Sequence, residues 1–157
     1  MVHIRKVKKS EEALLHNLMQ FYIYEFSKYI PEIKLESDCT YKPFDLNRYW
    51  EEETHHAYFI CLEAEVIGFA LIESDEKINT VLEFFVLASY QGKGFGKTAA
   101  RKLFKAFEGY WNVSQIEKNQ PAQAFWRNII SDITKGEMEE VHENRVYVQK
   151  FHTSSIV

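Results

Sequence analysis

Near the middle of the chain, three glycines alternate with other residues in the run Gln91-Gly92-Lys93-Gly94-Phe95-Gly96. An apolar run precedes it and apolar residues at helical spacing follow it, which predicts a turn from a strand into a helix. Glycines leave consecutive backbone N–H groups uncovered by a Cβ, and a helix start adds unpaired donors and the positive end of the dipole. The segment is therefore predicted to bind a phosphate or diphosphate, with a tight structural turn as the alternative.

Positive charge is concentrated around this turn, although the chain as a whole is acidic. Lys93 lies within the segment and is followed by Lys97, Arg101, Lys102 and Lys105, whereas the net charge is −4 and the pI about 5.9. An acidic balance disfavours nucleic acid as the main partner. The local cluster favours an anion site, and a solvated basic helix face is the alternative.

Two common phosphate-binding signatures do not fit the segment. A P-loop ends in Gly-Lys-Ser/Thr, which Gly96-Lys97-Thr98 supplies, but Gln91 stands where its first glycine belongs. The dinucleotide fingerprint Gly-x-Gly-x-x-Gly is one residue longer than the spacing found here. Both signatures also prefer the first β-α turn of a domain, so a nucleoside triphosphate is only the third choice of ligand class.

One carboxylate lies inside an otherwise apolar predicted strand, Val81-Leu82-Glu83-Phe84-Phe85-Val86. Strand alternation puts Glu83 on the same face as Val81 and Phe85, which favours a covered position. A partly buried carboxyl has a raised pKa and can take a proton from an ammonium group. Glu83 is therefore the predicted general base, with a solvated residue on an open sheet face as the alternative.

The elements that position these residues follow from apolar periodicity. The length of 157 residues and the apolar content of 46% fit a single domain over residues 1–157 with a core of its own. The predicted order is β-α-α-β-β-β-α-β-α-β-β, with Ser10 as the cap of a long first helix and Pro31 after its end. This order predicts an α/β fold with a mixed sheet and helices on both of its faces.

The turn also fits the pattern Gln/Arg-x-x-Gly-x-Gly/Ala, and this resembles the acyl-CoA loop of the GCN5-related N-acetyltransferase (GNAT) superfamily. Two further segments resemble the same family, the strand Val66-Ile67-Gly68-Phe69 and the helix pattern Asn119-x-x-Ala122-x-x-Phe125-Trp126. With the element order, the resemblance covers nearly the whole chain. It implies a mostly antiparallel sheet of about six or seven strands with one splayed parallel pair.

The resemblance implies an enzyme that moves an acetyl group from acetyl-CoA to a primary amine by direct attack in a ternary complex. It places the pantetheine arm beside the strand before the turn, with a backbone N–H near Leu87 polarising the thioester carbonyl. The implied contacts of coenzyme A are Val86, Leu87, Gln91, Gly92, Lys93, Gly94, Phe95, Gly96, Lys97, Asn119 and Trp126.

Trp126 departs from the family pattern. Many members carry a tyrosine there that protonates the departing thiolate, and an indole has no acidic proton that could replace it. Either another group protonates the thiolate, or no proton donor is needed, because the CoA thiolate is already a tolerable leaving group. A non-catalytic acyl-CoA-binding module of the same fold is therefore the alternative function.

The acceptor site is expected near the first two helices. Tyr22, Phe26 and Tyr29 form a stripe at helical spacing that is predicted to be core, so Tyr24 and Glu25 are the predicted contacts for a cationic small-molecule or peptide amine.

Other ligands and locations are disfavoured. Neighbouring His55 and His56 point to opposite faces of a strand, which disfavours a metal site. No run resembles a membrane span or signal peptide, so a cytoplasmic protein without a membrane partner is expected, and a homodimer is possible within this superfamily.

Overall fold

The computed structural model describes residues 1–157 and contains one seven-stranded sheet. Its strands are β1 (Val2–Lys6), β2 (His55–Leu62), β3 (Glu65–Ser74), β4 (Asn79–Val86), β5 (Tyr110–Ile116), β6 (Glu139–Glu143) and β7 (Val146–His152). Its α-helices are α1 (Glu12–Phe26), α2 (Asn47–Glu51), α3 (Phe95–Ala106) and α4 (Gln120–Thr134). None of these helices combines the length and apolar content that crossing a lipid bilayer requires.

The strands lie in the order β1-β2-β3-β4-β5-β7-β6, and all neighbours are antiparallel except β4 and β5. The parallel pairing is short, since it joins only residues 79–81 to residues 111–113. Beyond these positions both strands continue without pairing to each other, to Val86 and Ile116. The predicted mixed sheet with one parallel pair is confirmed, and the two strands part to leave a gap between their carboxyl ends.

Helices cover both faces of the sheet, as the sequence predicts. On one face, apolar residues of α1 and α2 pack against β2, β3 and β4; this core includes Leu15, Met19, Phe59, Phe69, Leu71 and Phe85. On the other face, α3 and α4 pack across β3, β4, β5 and β7; that core includes Ala70, Val81, Leu103, Phe104, Trp111, Val113 and Ile130. The gap between β4 and β5 is therefore bordered by α1 on one side of the sheet and by α4 on the other.

A β-bulge at Leu82 changes the direction of the side chains in β4. Leu71 pairs with Glu83 while the next residue of β3, Ile72, pairs with Val81, so Leu82 is an extra residue. Val81 consequently packs into the core beneath α3 and α4. The prediction that Glu83 shares a face with Val81 is wrong, because a bulge reverses the alternation that the prediction assumed.

The first helix is shorter than its sequence signals suggest, because it begins later and ends earlier in the sequence. Ser10 is not its cap, because residues 9–11 form a 3₁₀ turn and α1 begins at Glu12. Glu11 holds this turn by accepting the Lys8 N–H at 3.0 Å and the Arg5 guanidinium at 2.9 Å. At the other end, α1 stops at Phe26, before Pro31 is reached.

Candidate functional site

The glycine segment forms the turn from β4 into α3. Gly92 and Gly94 have φ angles of +76° and +83°, in the left-handed region that glycine adopts without strain. A Cβ built at either position would have no protein atom within 4 Å, so both face open space. Gly94 is the N-cap of α3, so the helix begins immediately after the turn.

The backbone N–H groups of residues 92–97 donate to no protein acceptor. Bonding resumes with the N–H of Thr98, which donates to the Gly94 carbonyl at 3.1 Å. Gln91 differs from the predicted arrangement, because its N–H already donates to the Ala88 carbonyl at 3.2 Å. An unbroken row of free donors at the positive end of a helix is suited to a bound anion.

Two contacts fix this row of donors relative to the rest of the protein. The Gln91 side chain donates from Nε2 to the Val86 carbonyl at 2.7 Å, which ties the turn to the end of β4. A Cβ built on Gly96 would lie 2.9 Å from the Phe125 ring. Glycine thus allows the first turn of α3 to approach α4 closely, and the donors are held in place by β4 and α4 together.

A cleft of about 720 Å³ runs from this turn into the gap between β4 and β5. Most of the predicted coenzyme A contacts line it: Val86, Gln91, Gly92, Gly94, Gly96, Lys97, Asn119 and Trp126. Leu87, Lys93 and Phe95 do not line it. Lys93 is exposed, and Phe95 packs beside Tyr90 with a ring-centroid distance of 6.4 Å. The backbone N–H groups of Lys93 and Phe95 have no protein acceptor and can bind a ligand, whereas the side chains of these two residues lie outside the cleft.

The predicted role of Leu87 requires a correction. Its N–H donates to the Ile67 carbonyl of β3 at 2.8 Å and cannot also polarise a carbonyl in the cleft. N–H groups alternate between the two edges of a strand, so those of Phe84 and Val86 point towards β5. The pairing of β4 with β5 ends at Val81, before these two residues, so their N–H groups are the donors that face the gap.

Two polar side chains that line the cleft, Lys97 and Asn119, also bind other residues of the protein. Lys97 forms an ion pair with Asp132 of α4. Asn119 is the N-cap of α4, because its Oδ1 accepts the Ala122 N–H at 3.2 Å. Both residues line the cleft, so these contacts fix their position at its wall without removing them from it.

Glu83 and Tyr22 meet at the inner part of the cleft, where the Tyr22 hydroxyl donates a hydrogen bond to Glu83 Oε2. Burial raises the pKa of Glu83 to about 7, and the hydrogen bond from Tyr22 acts in the opposite direction. Burial, followed by the charge of Glu83, raises the pKa of Tyr22 well above its usual value. The site thus contains a carboxyl that exchanges protons near neutral pH beside a hydroxyl that stays protonated.

The face of α1 that lines the cleft differs from the predicted one. Tyr22 and Phe26, which the sequence suggested as core, line the cleft, with the Tyr22 ring 5.4 Å from that of Phe69. Tyr24 is 61% exposed, and Glu25 forms an ion pair with Lys28 at 2.6 Å. Neither residue lines the cleft, and their contact with the amine stays a prediction. The sequence signal for the pair of Tyr22 and Glu83 was the hydroxyl of Tyr22 on the apolar face of the first helix, together with the single carboxyl in the apolar strand that contains Glu83.

Trp126 forms part of the cleft wall on the α4 side. Its side chain is only 6% exposed and its ring lies 4.9 Å from that of Phe84 and 5.0 Å from that of Phe125. No group of three or more His, Cys, Asp or Glu side chains in the chain has the arrangement of a metal site.

Comparison with known sequences identifies one family. A sequence model described as the acetyltransferase (GNAT) family matches residues 15–129, which is most of the chain. A comparison with curated proteins finds no match.

Solved structures of several acetyltransferases share the fold. A ribosomal-protein-alanine N-acetyltransferase from Escherichia coli superposes with a TM-score of 0.66 at 12% identity, covering 97% of this chain and 94% of the other. The PaiA N-acetyltransferase from Thermoplasma acidophilum, in complex with coenzyme A, gives 0.65 at 11% identity, covering 97% and 99%. An aminoglycoside acetyltransferase in complex with coenzyme A gives 0.67 at 14% identity, covering 99% and 96%.

Proposed function

The chain belongs to the GNAT family of acetyltransferases, and from that premise we propose that it transfers an acetyl group from acetyl-CoA to a primary amine. Acetyl-CoA is the co-substrate typical of this family, and it supplies the acetyl group as an activated thioester. The observation that carries the proposal is the row of unpaired N–H groups at residues 92–97, which opens into a cleft leading to Glu83.

The residues of the cleft fit the two chemically different parts of coenzyme A. The N–H groups of residues 92–97 and the dipole of α3 suit a diphosphate. The parted edge of β4 suits the amide-bearing arm, because the N–H groups of Phe84 and Val86 face the gap, as strand alternation requires. We assign the diphosphate to the turn and the arm to the gap, with Lys97 and Asn119 at the wall.

Glu83 is assigned as the general base. An amine bound as ammonium must lose a proton before its nitrogen can attack, and a carboxylate with a pKa of about 7 accepts that proton efficiently near neutral pH. Tyr22 orients the carboxylate through its hydrogen bond. Glu83 is the one acidic side chain among the residues that line the cleft, so it also attracts a cationic small-molecule or peptide amine.

Direct attack in a ternary complex fits the composition of the cleft. Neither cysteine of the chain lines it, since Cys39 is exposed elsewhere and Cys61 is buried in the core. The acyl group is therefore passed straight to the amine nitrogen rather than held on a protein thiol. Of the two N–H groups that face the gap, that of Phe84 lies beside Glu83 and is assigned to stabilise negative charge on the carbonyl oxygen during attack, while that of Val86 is left to the arm.

The test combines a binding measurement with a turnover assay. Calorimetry compares coenzyme A with ATP as ligands, and release of free thiol from acetyl-CoA is followed over a panel of polyamines, amino acids, aminoglycosides and peptides. The proposal predicts tight binding of coenzyme A and thiol release that depends on one class of amine. Binding of coenzyme A without turnover against any amine supports the non-catalytic module instead, and preference for ATP contradicts both.

A further inference from the structure

The three tryptophans of the chain differ in what their indole N–H groups bind. Trp50 donates to Glu12 at 2.7 Å and Trp111 donates to the Phe107 carbonyl at 2.8 Å. Trp126 has no acceptor in the protein, although its side chain is 6% exposed. Solvent reaches its Nε1, and the residue is part of the cleft wall. The indole N–H of Trp126 is therefore a donor that no protein group uses and that a ligand in the cleft can bind.

The indole lies opposite the proposed base across one strand. The Trp126 ring contacts Phe84 at 4.9 Å, and Phe84 directly follows Glu83 in β4. Alternation sends Glu83 towards Tyr22 of α1 and Phe84 towards α4. The carboxyl and the indole therefore flank the same part of the gap from opposite faces of the sheet.

We propose that the indole N–H of Trp126 donates a hydrogen bond to the sulfur of bound acyl-CoA and stabilises the thiolate as it departs; this rests on the proposed function. The amine nitrogen forms a bond to the acyl carbon, the carbon–sulfur bond breaks, and its electron pair stays on sulfur. Glu83 takes one proton from the ammonium before the attack, and water takes the second proton from the nitrogen as the amide forms. Trp126 transfers no proton, and the thiolate is protonated later by solvent.

This role suits an indole better than proton transfer does. Its N–H is a donor only and does not ionise in the physiological range. Hydrogen bonds to charged acceptors are roughly twice as strong as neutral ones, so the bond strengthens as charge develops on sulfur. An interaction that is stronger in the transition state than in the bound substrate accelerates the chemical step. The chain can therefore act without an acidic side chain at this position.

The test uses the wild-type protein and side-chain NMR. The indole N–H resonances of Trp50, Trp111 and Trp126 are assigned with single Trp→Phe variants and followed, with the backbone amides of residues 92–97, during titration with coenzyme A. A parallel titration uses desulfo-coenzyme A, which lacks the sulfur. We expect the Trp126 indole proton to move downfield and exchange more slowly with coenzyme A but not with the desulfo analogue. Trp50 and Trp111 are internal controls whose resonances stay in place.

The other outcomes separate this inference from the proposed function. If the amides of residues 92–97 respond and the Trp126 indole does not, the role of Trp126 is overturned while the coenzyme A site stands. An equal response of the indole to both ligands overturns the assignment to sulfur. If neither the amides nor the indole respond to coenzyme A, the proposed function itself fails.

Kinetics of Trp126→Phe provide the second readout. The phenyl ring preserves an aromatic wall and removes only the donor, so kcat is expected to fall about 10- to 100-fold, the value of a hydrogen bond to a charged group. KM for acetyl-CoA should change much less. Trp50→Phe is the matched control, because its N–H binds Glu12 outside the cleft. An unchanged kcat, or a loss confined to KM, overturns the inference.

Discussion

At the scale of single residues, the pair formed by Glu83 and Tyr22 determines what the cleft can do. Burial raises the pKa of Glu83 to about 7, so both its charged and neutral forms are populated near neutral pH. The pKa of Tyr22 lies well above its usual value because the hydroxyl is buried beside this carboxyl. Tyr22 therefore remains a donor over the range in which Glu83 titrates, and the pair works as a proton acceptor near neutral pH.

Glu83→Gln is expected to lower kcat/KM about 10²- to 10⁴-fold, the usual contribution of a general base. The ionised carboxylate is the active form, so wild-type kcat/KM should rise with pH through about 7. The variant should lack this limb, because its amide does not titrate. The measurement is kcat/KM against pH for the amine found in the panel. Persistence of the same limb in the variant would assign it to another group.

Tyr22→Phe is expected to shift the same limb to higher pH. The hydrogen bond from Tyr22 lowers the pKa of Glu83, and its loss leaves the effect of burial unopposed. The rate at high pH should be retained more fully than in Glu83→Gln. Tyr24→Phe is the matched control, because Tyr24 is exposed outside the cleft. A midpoint that stays in place or moves to lower pH contradicts the assignment.

At the scale of elements, the start of α3 acts together with α4. Gly96 lies so close to Phe125 that a Cβ would approach its ring to 2.9 Å, and Gln91 ties the preceding turn to β4. The unpaired N–H groups between these two contacts can only point into the cleft if the helix start keeps this position. Anion binding thus depends on the packing of two helices as well as on the glycines.

Gly96→Ala is expected to weaken binding of coenzyme A and to destabilise the fold by about 1–3 kcal/mol, the usual cost of an overpacked contact. The added methyl pushes the helix start away from Phe125 and moves the donors. Phe125→Leu in the same chain should recover part of both losses. The measurements are the dissociation constant by calorimetry and the free energy of unfolding in urea, with exposed Lys105→Ala as the control. Wild-type affinity in Gly96→Ala would contradict this dependence.

The sequence predicts these elements well where their signals are local. The predicted order of strands and helices is the observed one, and α3 follows the glycine turn, because apolar spacing and glycine positions lie within a few residues of the structure they determine. The cleft-lining residues of the turn could be named for the same reason. The exception is the N–H of Gln91, which donates to the Ala88 carbonyl in a 3₁₀ turn that no sequence signal predicts.

Features that depend on distant partners could not be predicted. The bulge at Leu82 is defined by the register with β3, so counting along β4 alone gave Glu83 the wrong neighbours. The N–H of Leu87 is used by Ile67 of the same distant strand. The contact between Tyr22 and Glu83 joins residues far apart in sequence and requires the orientation of α1 on the sheet.

At the scale of the whole molecule, the buried carboxyl links activity to stability. The pKa of a glutamate side chain is 4.5 when it is exposed, as in the unfolded chain, and that of Glu83 is about 7 in the folded protein. The folded protein therefore binds the proton of Glu83 more tightly. The stability that protonated Glu83 provides is complete below about pH 4.5 and is lost as the pH rises through 7. The wild-type protein should therefore be less stable above neutral pH than an equivalent without this charge.

Glu83→Gln is expected to remove that loss. At about pH 8 the variant should exceed the wild type in free energy of unfolding by up to about 3 kcal/mol, the equivalent of the pKa shift. The difference should shrink towards pH 5, where the wild-type carboxyl is protonated. Urea unfolding at both pH values measures it. Equal stability of the two proteins at high pH would show that the carboxylate is not penalised by burial.

The central claim is that the N–H groups of residues 92–97 bind the diphosphate of coenzyme A while its arm lies between β4 and β5. A crystal structure of the complex with coenzyme A tests this most directly. The diphosphate oxygens are expected about 3 Å from these backbone nitrogens, with the sulfur between Glu83 and Trp126. A diphosphate bound away from the turn, or an arm outside the parted strands, would contradict it.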